Sequence, residues 1–295
     1  MWSRALGDVY TSQMTSIAFL GTGLLGSAFV EAAASRDEQI TVWNRTPEKA
    51  QALSPLGVRV ADTPADAVRD AVRVHLVLRD DAVVEDVIAQ LRPGLRDDAI
   101  IVDHTTTQPE LTAIRSAELA VEGVRYLHCP VFIGPSAARK AQGTILAAGP
   151  QVLFDEVRPA LERMAQHVRY FGERTDLAAA YKLIGNCYII GMGALISDVF
   201  AIAQGSDIAP ADAIELLSMF SAGSIVAGRG SKMAQGDFAA SFELTMARKD
   251  VRLMLETAGN RPLSMLPSLA ARMDDVIADG YGAADFSVIA HEFVE

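Results

Sequence analysis

The segment that most constrains this chain is 17–29, Ile-Ala-Phe-Leu-Gly-Thr-Gly-Leu-Leu-Gly-Ser-Ala-Phe. A short apolar run enters Gly21-x-Gly23-x-x-Gly26 and leaves as an Ala-rich amphipathic stretch, so strand, turn and helix follow one another without a gap. The three glycines do different things. Gly21 turns the chain tightly, Gly23 lets the backbone approach a pyrophosphate, and Gly26 lets helix and strand pack closely. The new helix then directs unpaired N–H groups and its positive dipole end at the anion. Thr22, Leu24 and Leu25 lie in the same turn and count with the glycines as cofactor-binding residues.

A unit of this kind requires neighbours, and they are present. Strand patterns recur near 17–20, 40–43, 58–60, 73–78, 99–103, 125–127, 144–148 and 167–170, with helical stretches between most of them. That alternation predicts an α/β fold, a Rossmann-type, doubly wound and mostly parallel sheet covered by helices. Beyond about Thr175 the pattern becomes helical, at 176–204, 210–220, 224–234, 241–258 and 264–279, which predicts an all-α C-terminal domain. The expected divisions are an N-terminal extension over 1–15, with Met14 as an alternative start, a dinucleotide-binding domain over 16–175 and a helical substrate and dimerisation domain over 176–295.

Composition narrows the partners. A net charge of −11 over 295 residues argues against nucleic-acid or anionic-membrane surfaces and leaves small molecules. Two cysteines, Cys129 and Cys187, form no secreted disulfide pattern, so a cytoplasmic location is expected. The five histidines show no ligand spacing, and no metal is expected. The most apolar stretch, 183–203, is interrupted by Asn186, Ser197 and Asp198 and is not read as a membrane span. Its run Tyr188 to Ile196 predicts burial against a second copy, giving a homodimer or homotetramer.

NAD-specific turns carry an acidic residue about 20 positions past the glycines, whereas Thr41-Val42-Trp43-Asn44-Arg45-Thr46-Pro47 stands here. Arg45 offers a planar charged fork for a 2′-phosphate, and Asn44 and Thr46 add neutral hydrogen bonds. NADP is therefore expected over NAD, with Leu78, at the end of the fourth strand pattern, also at the cofactor. On the same carboxyl edge follow Asp103-His104-Thr105-Thr106-Thr107-Gln108-Pro109 and the loop from His128 to Ala138. Lys182-x-x-x-Asn186 shares one face of a helix. Hydride exchange with an alcohol requires a group that takes or gives the hydroxyl proton, and Lys182, on an otherwise apolar segment, is the candidate.

In that order these segments resemble the β-hydroxyacid dehydrogenase family, which includes 3-hydroxyisobutyrate dehydrogenases and glyoxylate/succinic-semialdehyde reductases. The resemblance runs from about Ser16 to Phe286. It implies Thr105 at the substrate and Thr106 at the cofactor, in the family's Asp-x-Ser-Thr loop. It likewise implies a substrate loop at Pro130-Val131 with Phe132, Ile133 and Gly134, a catalytic pair Lys182 and Asn186, and Lys249 of Lys249-Asp250-Val251 near the cofactor. Ser224 and Arg229 lie in the region that closes over substrate in relatives. The implied activity is hydride transfer between NADP(H) and a small 3-hydroxy acid or short aldehyde acid. The family usually continues Pro-Val-Ser-Gly-Gly, so Phe132 and Ile133 depart from it where a small carboxylate would sit. The alternatives are an NADPH-dependent imine reductase, which Lys182 opposes and the apolar pair favours, and a non-catalytic NADP-binding sensor or interaction module.

Overall fold

The computed structural model describes residues 16–36 and 38–294, so the expected extension over 1–15 lies outside the described residues. Two compact units are present, the first reaching Gly185 and the second running Asn186–Glu295.

Among the described residues the first unit holds nine strands: β1 (Ser16–Leu20), β2 (Gln39–Trp43), β3 (Arg59–Val60), β4 (Arg73–Leu76), β5 (Ile100–Asp103), β6 (Arg125–His128), β7 (Val131–Phe132), β8 (Thr144–Ala147) and β9 (His167–Tyr170). The first six form a parallel sheet in the order β3-β2-β1-β4-β5-β6, and β7-β8-β9 form a second sheet. The helices are α1 (Leu24–Ala34), α2 (Pro47–Gln51), α3 (Pro64–Val68), α4 (Asp81–Leu91), α5 (Pro109–Val121), α6 (Pro135–Ala138) and α7 (Gln151–Leu161). Side chains alternate across a strand, and β1 shows the result. Ile17 and Phe19 join a core with Ala28, Phe29 and Val30 of α1. Ala18 and Leu20 join another with Val84, Val87, Ile88 and Leu91 of α4. Helices on both faces explain why the strand is apolar throughout rather than every second residue.

Strand β7 has no counterpart among the expected strands, because two residues carry no periodicity. It pairs antiparallel with β8, Phe132 opposite Thr144, while β8 and β9 run parallel.

Helix α8 (Leu177–Gly205) runs 29 residues without a break. The two compact units meet inside it, and Ala178 and Ala179 are fully buried, Ala178 in a cluster with Leu146 of β8 and Ala148 just after it. Its first turns therefore belong to the first unit. The second unit adds α9 (Pro210–Ser218), α10 (Ala222–Ile225), α11 (Ser231–Ala234), α12 (Leu244–Ala258) and α13 (Leu266–Val276), with a π turn over Val226–Gly230 and a 3-10 segment over Phe286–Phe293. Leu244, Ala247 and Val251 of α12 pack on Leu266, Ala270 and Met273 of α13. Asp198 of α8 is buried and accepts the N–H groups of Ser264, Met265 and Leu266 at 2.6, 2.9 and 2.9 Å, capping the start of α13. Burial alone would raise this carboxyl, but the three N–H groups prevail and hold it below its ordinary value.

Candidate active site

The glycine turn is built as the spacing requires. Gly21 has φ +99°, and a Cβ there would stand 2.2 Å from the Val77 carbonyl oxygen, so only glycine fits. A Cβ on Gly26 would stand 1.9 Å from the carbonyl oxygen of Gly21. Its close approach is thus mainly to the turn itself rather than to the strand. Around Gly23 nothing lies within 4 Å of an added Cβ, which leaves that side open for a ligand. No side chain caps α1 and no acid stands in its first turn, so its N–H groups face outward with Leu24 highly exposed beside them.

Beyond the turn lies a cavity of about 350 Å³ whose lining includes Gly21, Gly23, Asn44, Arg45, Thr46 and Leu78. Lys49 and Arg79 line it too. Sequence reasoning missed both, although Lys49 follows Arg45 by four residues and lies in α2. Three cations in one cavity of an acidic chain fit a phosphorylated nucleotide. Asn44, in the cavity lining, also has a local part: its Oδ1 accepts the Thr22 N–H at 2.9 Å and its Nδ2 donates to the Thr46 carbonyl at 2.9 Å. It braces the glycine turn against the end of β2.

A polar network fixes the loop after β5. Asp103, fully buried, accepts the Thr105 N–H at 2.9 Å and the Tyr126 hydroxyl at 2.7 Å. The Thr105 hydroxyl accepts the Leu78 N–H at 3.1 Å, and the residue is only 2% exposed. The Thr105 hydroxyl thus fastens two loops together, and the half-buried Thr106 is the member left at the surface. Arg115 donates to Asp81 at 2.6 Å, and Asp81 accepts the Gln108 N–H at 2.9 Å, tying the same loops from beneath.

Under this edge lies a chain of buried imidazoles. Arg73 Nε donates to His75 Nε2 at 2.9 Å, so the His75 proton is on Nδ1 and points to His104 Nε2, also 2.9 Å away. His104 Nδ1 then donates to the Cys129 carbonyl at 2.7 Å. One direction of donation satisfies the whole chain only if both rings are neutral. Burial pushes His75 well down and His104 down to about 4.

Lys182 sits in the first unit at the start of α8, 8% exposed, with Nζ 4.2 Å from the centroid of the Phe132 ring. Burial lowers its amine from the ordinary value. Ile133 is half-buried against the core, and Gly134 caps α6. Asn186 follows one turn later on the same helix and opens the second unit.

In the second unit, Lys249 of α12 pairs with Asp250 at 2.8 Å, and the Ser224 hydroxyl bonds Ser221 at 2.9 Å in the cap of α10. Arg229 is paired with Asp285 and stacked on Phe286 at 4.2 Å. Asp285 also accepts from Ser241 and Ser287, an arrangement that binds the π turn to the 3-10 segment. Arg229, the expected carboxylate clamp, is engaged by Asp285 in this structure.

Residues 16–172 match the family described as the NAD binding domain of 6-phosphogluconate dehydrogenase, and residues 177–293 that described as NAD-binding of NADP-dependent 3-hydroxyisobutyrate dehydrogenase. The chain is 28% identical to an uncharacterized oxidoreductase, YfjR, of Bacillus subtilis over 92% of this chain and 98% of that one. It is 26% identical to glyoxylate/succinic semialdehyde reductase 1 of Arabidopsis thaliana, covering 92% and 96%. Cytokine-like nuclear factor N-PAC of Drosophila pseudoobscura pseudoobscura is 26% identical over 88% of this chain, which spans only 43% of that protein. An imine reductase from Myxococcus stipitatus in complex with NADP+ shares the fold, with a TM-score of 0.86 at 20% identity, covering 94% and 99%. The cradle, the cationic cavity and both matched halves lead to one assignment: the chain belongs to the β-hydroxyacid dehydrogenase family and is an NAD(P)-binding oxidoreductase.

Proposed function

We propose that this protein transfers hydride between NADP(H) and a small 3-hydroxy acid or short aldehyde acid, with Lys182 as general acid and base. The observation that carries the reading is Lys182 itself, a buried amine with its pKa lowered by desolvation, in a chain that also holds a complete dinucleotide cradle. Bound NADP(H) supplies or accepts the hydride. The turn that Gly21, Gly23 and Gly26 permit would hold its pyrophosphate at the N-terminus of α1, and Arg45, with Lys49 and Arg79, would hold a 2′-phosphate and set the preference for NADP over NAD. Lys182 donates a proton to the nascent alkoxide oxygen in reduction and removes it from the hydroxyl in oxidation. Asn186, one turn on, orients that oxygen.

The experiment is NADPH oxidation with a panel of aldehyde acids, keto acids and cyclic imines. Lys182→Ala is expected to keep NADPH binding and lose about 10²- to 10⁴-fold in turnover, and undiminished turnover refutes the role. Phe132 beside the amine favours a second reading, an imine reductase, which turnover of cyclic imines alone would select.

A second copy of the chain is the proposed cover for α8, which is long and apolar enough to cross a membrane by length and composition. Ile184, Ile189 and Ile190 are more than half exposed on it, yet Asp198 and Gly205 near its end are built into the second unit. That anchoring favours a protein partner over lipid. Two free thiols, Cys129 and Cys187, accord with a reducing, cytoplasmic setting.

A further inference from the structure

The ring of Phe132 occupies a prepared seat. One face lies 4.2 Å from Lys182 Nζ. Its edge meets α8 at Gly185, where an added Cβ would stand 2.2 Å from Phe132 Cζ. Beneath the strand, a Cβ on Gly143 would stand 2.7 Å from the Phe132 carbonyl oxygen and 2.9 Å from Ile133 Cγ1. Gly185 of α8 thus clears the space that the ring fills, and Gly143, in the bend before β8 with φ +94°, clears the Phe132 carbonyl and the Ile133 side chain. Leu146, Ala148 and Ala178 pack around the ring as its apolar floor.

Physical chemistry decides what such a seat admits. The face of an aromatic ring is electronegative, so it attracts an ammonium and repels a carboxylate. A carboxylate pressed against the same ring would also lose water without gaining a donor. Burial lowers the Lys182 amine from its ordinary value.

We propose that Phe132 is a positioning and specificity residue: its ring seats the Lys182 amine and fills the ground beside it, so the part of the substrate lying against β7 is uncharged. A carboxylate on the substrate is held elsewhere, and an apolar chain lies along the ring. The inference rests on the reading of Lys182 as the proton-exchanging group.

The test uses the full chain carrying Phe132→Ser, Phe132→Leu or Gly185→Ala, with folding and NADPH binding checked by circular dichroism and nucleotide fluorescence. The first readout needs no turnover: the rate at which limiting acetic anhydride acetylates Lys182, followed by peptide mass spectrometry. Phe132→Ser is expected to raise that rate at least fivefold, Gly185→Ala to raise it by displacing the ring, and Phe132→Leu, which keeps the bulk but lacks the ring face, to raise it less than Phe132→Ser does. The second readout is the ratio of kcat/KM for butanal to that for succinic semialdehyde with NADPH. Phe132→Ser is expected to move the ratio at least tenfold toward the charged aldehyde, and Phe132→Leu, still apolar, to move it less in the same direction. A ring that merely fills the core would leave this ratio alone, so an unchanged ratio overturns the proposal, as does unchanged labelling in Phe132→Ser and Gly185→Ala. Failure of the functional reading looks different: NADPH binds and no carbonyl turns over, while the labelling rates still decide whether Phe132 seats the amine.

Discussion

Replacing His104 with glutamine should flatten the acid side of the stability curve. The side chain is 3% exposed, its Nδ1 donates to Cys129, and its Nε2 accepts from His75. Burial holds it to about 4 in the folded protein against 6.5 as the ordinary value. Because the folded value is the lower one, the unfolded chain takes up the proton first as pH falls. The contribution to stability is complete above pH 6.5 and is lost progressively as pH falls toward 4. Each pH unit in that window costs about 1.4 kcal/mol, so moving from pH 6.5 to pH 5 removes about 2 kcal/mol through this ring alone. Glutamine offers one acceptor and one donor, as the neutral imidazole does, but does not titrate. Urea unfolding at pH 7 and pH 5 measures the difference. The wild type should lose about 2 kcal/mol more than His104→Gln across that interval. Equal losses would show that the ring is already charged or solvated in the folded state, and the relay from Arg73 to Cys129 would be wrong.

Arg45→Ala should weaken NADPH binding about 10- to 100-fold, as expected for one charge-assisted phosphate contact, while NADH binding changes little; fluorescence titration with both nucleotides checks this, and equal losses would remove Arg45 from the 2′-phosphate. Asp198→Ala leaves three N–H groups at the start of α13 without their acceptor and should destabilise the protein by about 2 kcal/mol in urea unfolding at pH 7. Light scattering should give at least twice the 31.5 kDa mass of one chain, and a sharp monomer would refute the proposed cover of α8.

The sheet was legible because its cause is local. A strand covered on both faces is apolar nearly throughout, and β1 and β5 declare themselves in that way, whereas β4 alternates Val74 and Leu76 with the polar Arg73 and His75. The glycine turn was legible for a similar reason, since a backbone at φ +99° and a carbonyl 1.9 Å from an added Cβ admit one residue type. Where partners are distant in sequence, residue type did not reveal role. Arg229 reads as a free cation until Asp285, 56 residues away, is brought to it. Asn44 and Thr105 read as ligand contacts, yet a backbone N–H from another loop claims each oxygen first.

Phe132 shows the boundary between the two kinds of signal. As a bulky residue in a loop expected to be small, it is conspicuous in the sequence, but its meaning depends on what yields to it. Gly143 and Gly185 stand 11 and 53 residues further along the chain, and neither advertises that it makes room for the Phe132-Ile133 pair. Gly143 yields to the Phe132 carbonyl and the Ile133 side chain, whereas Gly185 yields to the ring itself. Clearance at the ring's edge, with the amine over its face, marks an arrangement in which the aromatic ring is part of how Lys182 is held.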